Sequence, residues 1–223
     1  MKKTFILLSL LIGLAFTSCL DEHKDPLDLS VKVGNIYGSD GSIYPLDYFL
    51  EQGIAPVGVV ASVGTPDDGY RVLVVGLEDI GSTYYLNTVL EDVGNVSSDV
   101  TKFDGKENTA ALLLAALESD STAVIMPAGA MLSSSYMPHG VGAWHLPFVG
   151  EFRAVSQHYG TISHSLQAVG GQPFGPCYMT STVDGNSSSL EQLYNYCIEL
   201  PKGNIASTIK TESHEVRPFL ILK

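Results

Sequence analysis

Short apolar runs, separated by turn residues, set the pattern of this chain, and β-branched side chains dominate the first of them. Residues 33–37 read as a strand. Ser39, Asp40, Gly41 and Ser42 follow as a turn, because Asp-Gly accepts the positive φ angles of tight hairpins. Residues 46–52 have room for one or two helical turns, ended by Gly53. Residues 56–63 and 70–77 are almost continuously apolar. Val57, Val59, Val60 and Val63 in the first run and Val72, Leu73, Val74 and Val75 in the second predict strands that face each other and are covered on both sides. Residues 65–69 supply the turn between them, with Pro66, Asp67, Asp68 and Gly69.

The middle of the chain changes character. Residues 82–100 are polar with scattered Asn, Ser and Gly, which predicts a long loop. Residues 109–117 carry strong helix formers, with Asn108 placed to cap them, and their apolar character all round predicts burial. Residues 126–142, rich in Ser, Gly and Pro, predict a second loop. A helix is predicted to begin within residues 148–152 and run to about residue 158, and another over 162–169 stopped by Gly170 and Gly171. Strands are predicted at 178–182 and 194–200, a turn at 201–203, and a final strand at 216–222. Strands at both ends with helices between them fit an α+β domain whose terminal strands lie close together.

The first residues do not belong to this pattern. Lys2 and Lys3 precede an apolar stretch over residues 5–16, shorter than the roughly 20 residues that span a bilayer. A basic start and a short apolar core describe a secretory leader. The sequence Leu14-Ala15-Phe16-Thr17-Ser18-Cys19 resembles the lipobox of bacterial lipoproteins. That resemblance implies cleavage after residue 18 and acylation of Cys19. Lipid there would hold the chain on a membrane, since two or more acyl chains anchor stably. The expected organisation is a signal peptide at 1–18, an acidic tether at 19–30 (Asp21, Glu22 and Asp25 among it), and one domain over 31–223. In Bacteroidetes lipoproteins a similar acidic run accompanies export to the cell surface, which implies an outer-membrane, surface-facing location.

Charge narrows the partners. The chain has 12 basic and 24 acidic residues. Removing the leader and its two lysines leaves 10 against 24. A balance this acidic repels phosphate backbones, so nucleic acid is excluded as a partner. Cys177 and Cys197 remain after lipidation, and in an exported chain they read either as a disulfide or as two buried free thiols.

Several residues follow in a familiar order: Trp144, Leu146-Pro147, Gly150-Glu151, Gly170-Gly171, Tyr178-Met179-Thr180-Ser181-Thr182, Gly203 and Val216-Arg217-Pro218-Phe219, with Leu77-Glu78-Asp79 upstream. The series resembles a C-terminal domain family of Bacteroidetes surface lipoproteins, related to a domain of a collagen-like bacterial adhesin. The resemblance implies a C-type lectin-like fold, in which two helices pack on short antiparallel sheets. Met179 stands where the family carries a second aromatic residue, and Tyr194 and Tyr196 stand in for its later Trp.

Candidate chemistry is sparse. His23, His139, His145, His158, His164 and His214 show no short metal-binding spacing, so no metal and no cofactor are expected. Gln172-Pro173 is followed by Phe174, which breaks the carboxylate pattern of a lectin calcium site. Gly-x-Ser-x-Gly is absent, and the chain reads as a non-enzyme. Glu151 and Arg217 lie within apolar sequence, where an unpaired charge is expensive, and are expected to pair with each other. Loops on a rigid scaffold are the common place for recognition. Tyr136, His139, Trp144, Asp184 and Asn186 are therefore the candidate contacts for an extracellular glycan, matrix or protein ligand, with Trp144 equally placed for a core position. The leading expectation is a membrane-anchored adhesion module. The alternatives are a structural or accessory subunit of a surface fibre and a diversified receptor. The oligomeric state is not legible at this level.

Overall fold

The two valine-rich runs pair as predicted, within the first of the two sheets that the described residues form. The computed structural model describes residues 28–65, 70–87, 96–119, 125–185 and 194–223. The leader, Cys19 and Asn186 lie outside these residues. In chain order the elements are β1 (Ile36–Gly38), β2 (Ile43–Tyr44), α1 (Leu46–Leu50), β3 (Pro56–Val63), β4 (Val72–Gly76), β5 (Ser82–Tyr84), α2 (Gly105–Glu118) and α3 (Ala128–Ser135). A 3₁₀ turn (Pro138–Gly140) follows, then α4 (Val149–Gln157), α5 (Tyr159–Ala168), β6 (Cys177–Val183), β7 (Tyr194–Glu199), β8 (Asn204–Ile209), β9 (Ser213–Glu215) and β10 (Phe219–Leu222). The architecture is α+β.

The first sheet runs β10-β4-β3-β1-β2, and the second β5-β9-β6-β7-β8. Alternation along β3 and β4 sorts side chains to two sides. Val59, Ala61, Leu73 and Val75 face a central core shared with Phe152 and Val155 of α4, Ile162 and Leu166 of α5, and Tyr178, Tyr196 and Ile198 of the second sheet. Val60, Val72 and Val74 face outward onto Trp144 and Leu220. The far side of the second sheet packs Met179 against Leu112 of α2, Ala130 of α3 and Leu146. Met179 therefore fills core space where the resembling family carries an aromatic ring, as its flexible thioether permits.

Several sequence expectations need correction. Asn108 is not a helix cap. It lies one turn inside α2, buried, where its amide donates to the carbonyls of Ser181 (2.8 Å) and Ser97 (3.2 Å) and accepts from the Ser97 N–H (2.8 Å). Nor is α2 buried all round: Gly105, Asn108, Thr109 and Leu112 form its inward stripe, while Leu114 and Leu117 are 53% and 83% exposed. The two predicted loops contain β5 and α3. Strands β8 and β9 arise where the pattern gave none, held by ladders to β7 and β5.

Gly150 explains half of the Gly-Glu pair noted in the sequence. A Cβ at this position would sit 2.0 Å from the Lys102 carbonyl oxygen, so only glycine lets the start of α4 lie against that backbone. Gly170, at φ +76°, ends α5 in the left-handed conformation expected of it.

Candidate functional site

Residues 144–151 distribute their side chains among three environments, and that division organises the centre of the molecule. Trp144 points to the outer cluster on the first sheet and Leu146 to the cluster beneath α2 and α3. His145, between them, bridges to Phe219 of β10 through its backbone and turns its ring toward α4. Its Nε2 lies 3.0 and 3.1 Å from the two carboxylate oxygens of Glu151, and both residues are buried. Glu151 also accepts the Phe148 N–H at 2.8 Å, which satisfies a donor at the first turn of α4.

Arg217 makes a second buried cluster. Its Nε donates to Asp79 at 2.6 Å, Nη1 to the Gly76 carbonyl at 3.2 Å, and Nη2 to the carbonyls of Gln172 and Pro173 at 3.1 and 3.2 Å. The guanidinium carbon stands 5.0 Å from the centre of the Phe174 ring. Asp79 further accepts from Gln172 Nε2 at 3.0 Å and from the Tyr178 hydroxyl at 3.2 Å. Burial raises the Tyr178 phenol well above its ordinary range, so it remains a donor at neutral pH. The expected Glu151–Arg217 pair is therefore replaced by two separate pairs, Glu151–His145 and Arg217–Asp79. Glu151 is engaged at the start of α4, whereas Arg217 opens toward the end of β4 and the loop after α5. Gln172, which the sequence raised in connection with calcium, is committed to Asp79.

Among the remaining described candidates, Tyr136 and Trp144 touch each other, while Asp184 is engaged with Tyr196 and Ser207. Trp144 is 2% exposed, donates its indole N–H to the Val141 carbonyl at 2.8 Å, and meets Tyr136 edge-on with ring centres 5.2 Å apart. It is a core residue rather than a contact surface. His139 is exposed on the 3₁₀ turn at φ +49°. Asp184 ends β6, where it accepts from the Tyr196 and Ser207 hydroxyls at 2.7 and 2.6 Å, so it fastens neighbouring strands of the second sheet. Cys177 and Cys197 are both free thiols here, on adjacent strands β6 and β7. Because Trp144 is the only tryptophan, its fluorescence reports this placement directly. The native emission is expected to be blue-shifted and poorly quenched by acrylamide, shifting red only on unfolding. A red, readily quenched native spectrum would put the indole back on the surface.

A concavity on the first sheet was not legible in the sequence because it is built from ordinary strand residues. A groove of about 660 Å³ runs over the outer face of the first sheet, lined by Val31, Tyr37, Ile43, Arg71, Val141 and Leu222 among others. Among the described residues its charged lining is Arg71 and Lys223. Among the described residues no helix is long and apolar enough to cross a membrane.

No protein-family model matches this chain, and no curated protein matches it. A solved structure does. The chain is similar in fold to a fimbrial protein from Bacteroides ovatus ATCC 8483, with a TM-score of 0.62 over 85% of the chain at 17% sequence identity. It spans 48% of that protein's length. At this identity the likeness is one of fold.

Proposed function

We propose that this chain is a subunit of a cell-surface fibre, exported by its leader and held at the outer membrane through lipid on Cys19. The observation that carries the reading is the shared fold with a fimbrial protein over 85% of the chain. Three features of the molecule support it. The buried charged residues serve to fasten elements together, as structural parts do. Leu114 and Leu117 of α2 and Met131 of α3 expose apolar side chains of the kind a neighbouring subunit covers. Among the described residues β8 is an edge strand of the second sheet, a position of the kind that strand-to-strand contacts use. Sugar recognition through calcium draws no support, since Gln172 is engaged with Asp79.

The test is made on producing cells. The chain is expected to co-purify with filaments sheared from the surface, and deleting its gene should remove or shorten them. Cys19→Ala should abolish labelling by an alkyne fatty acid and release the protein from membranes. Filaments of normal number and length in the deletion strain, with the protein absent from the sheared fraction, would defeat the fibre reading.

A further inference from the structure

Three adjacent strands of the second sheet each place one metal-ligating side chain on the same face. Antiparallel pairing of β6 with β7 sets Met179 opposite Cys197, and Cys177, two residues before Met179, shares that face. Parallel pairing of β6 with β9 sets Tyr178 opposite Glu215, which brings His214 level with Cys177. The two thiols and an imidazole nitrogen accordingly lie within 4.8 Å of one another. We propose that Cys177, Cys197 and His214 form a site for a thiophilic divalent cation of the zinc type, with a fourth position left for water.

The dimensions suit such an ion. Tetrahedral zinc with sulfur at about 2.3 Å and nitrogen at about 2.0 Å needs donors roughly 3.5–3.8 Å apart, a small closure from the present spacing. They suit a disulfide less well. Cys177 and Cys197 are diagonal neighbours, and diagonal Cα atoms stand about 7–8 Å apart, outside the usual reach of about 6.8 Å for a disulfide.

The outer contacts prepare the histidine. Thr208 Oγ1 lies 2.6 Å from a Glu212 carboxylate oxygen and 2.8 Å from His214 Nε2. A carboxylate only accepts, so the hydroxyl donates to Glu212 and accepts from Nε2–H. That fixes the tautomer in which Nδ1 keeps its lone pair, as a ligating imidazole requires. A carboxylate reaching the ring through a hydroxyl is the kind of second contact that orients metal-bound histidines.

Charge points the same way. Glu199 stands opposite Cys177 and Glu215 opposite Tyr178 in the strand register, negative charge that a divalent cation would offset. The site escapes short-spacing motifs because its ligands come from three different strands.

The test uses the full chain, metal-stripped and held reduced with a phosphine, titrated with cobalt(II) and then zinc(II). One equivalent of cobalt is expected to give the charge-transfer and visible bands of a tetrahedral thiolate site, which zinc then bleaches. Loss of an outer-contact residue typically costs 10–100-fold in metal affinity, so Cys197→Ser or His214→Ala should cost roughly 100-fold or more. His139→Ala should cost nothing. Trp144 emission verifies that each variant is folded, and zinc should raise the melting temperature of the parent but not of His214→Ala. The proposal is overturned if the folded, reduced chain takes up no cobalt, if His214→Ala binds as the parent does, or if protein isolated from cells without reductant carries a Cys177–Cys197 disulfide.

Discussion

Replacing Arg217 with methionine is expected to destabilise the protein by about 3–5 kcal/mol, which for a chain of this size lowers the melting temperature by roughly 10 °C or more. The size follows from what the substitution leaves behind. The Asp79 side chain, 8% exposed, would keep its charge without the guanidinium 2.6 Å away. The carbonyls of Gly76, Gln172 and Pro173 would lose their donors as well. Lysine should rescue poorly, because a single ammonium cannot fork to one carboxylate and three carbonyls on different segments. Pairing Arg217→Met with Asp79→Asn should recover part of the loss, since the second change removes the stranded charge. Thermal unfolding followed by circular dichroism measures all three. A shift below about 2 °C for Arg217→Met would show that the cluster contributes little.

Glu151→Ala should cost a similar amount, about 3–5 kcal/mol, for the same reason in a different place. It strands the buried His145 ring and removes the acceptor for the Phe148 N–H. Glu151→Gln should be milder, since its carbonyl oxygen still accepts the Phe148 N–H and its NH₂ can donate to His145 Nε2 in the Nδ1–H tautomer. The two clusters are distinguishable by hydrogen exchange. Damage at Glu151 should speed exchange at the start of α4, whereas damage at Arg217 should speed it at β4 and β10. An unchanged melting temperature for Glu151→Ala would remove the structural role assigned to it.

The way these charges were misjudged from sequence shows what a pattern can and cannot carry. That Glu151 and Arg217 are buried and partnered was legible, because both interrupt apolar runs. Their partners were not. Asp79 is 138 residues from Arg217, in a segment whose relation to β10 depends on the order of strands. His145 is only six residues from Glu151, and its signal was present: a glutamate three positions into a helix, preceded by a chain reversal, reaches backward. The strands read correctly, β3 and β4 above all, are those whose own side chains demand burial on both faces. Strands β5, β8 and β9 are short or polar and exist because a neighbouring strand offers a ladder, which no local pattern encodes. The same holds for the metal-ligating trio, which depends on register alone. Trp144 shows the opposite case: sequence left it between core and contact, and the sheet beneath it made the choice.

The pairing of β10 with β4 carries a consequence for how the molecule is made. Phe219 sits opposite Val75, a separation of 219 − 75 = 144 residues. Contacts between partners so remote in the chain form slowly, because a long loop must close before any ladder bond rewards it. The first sheet is therefore completed only once residues 219–222 have been made and have found β4.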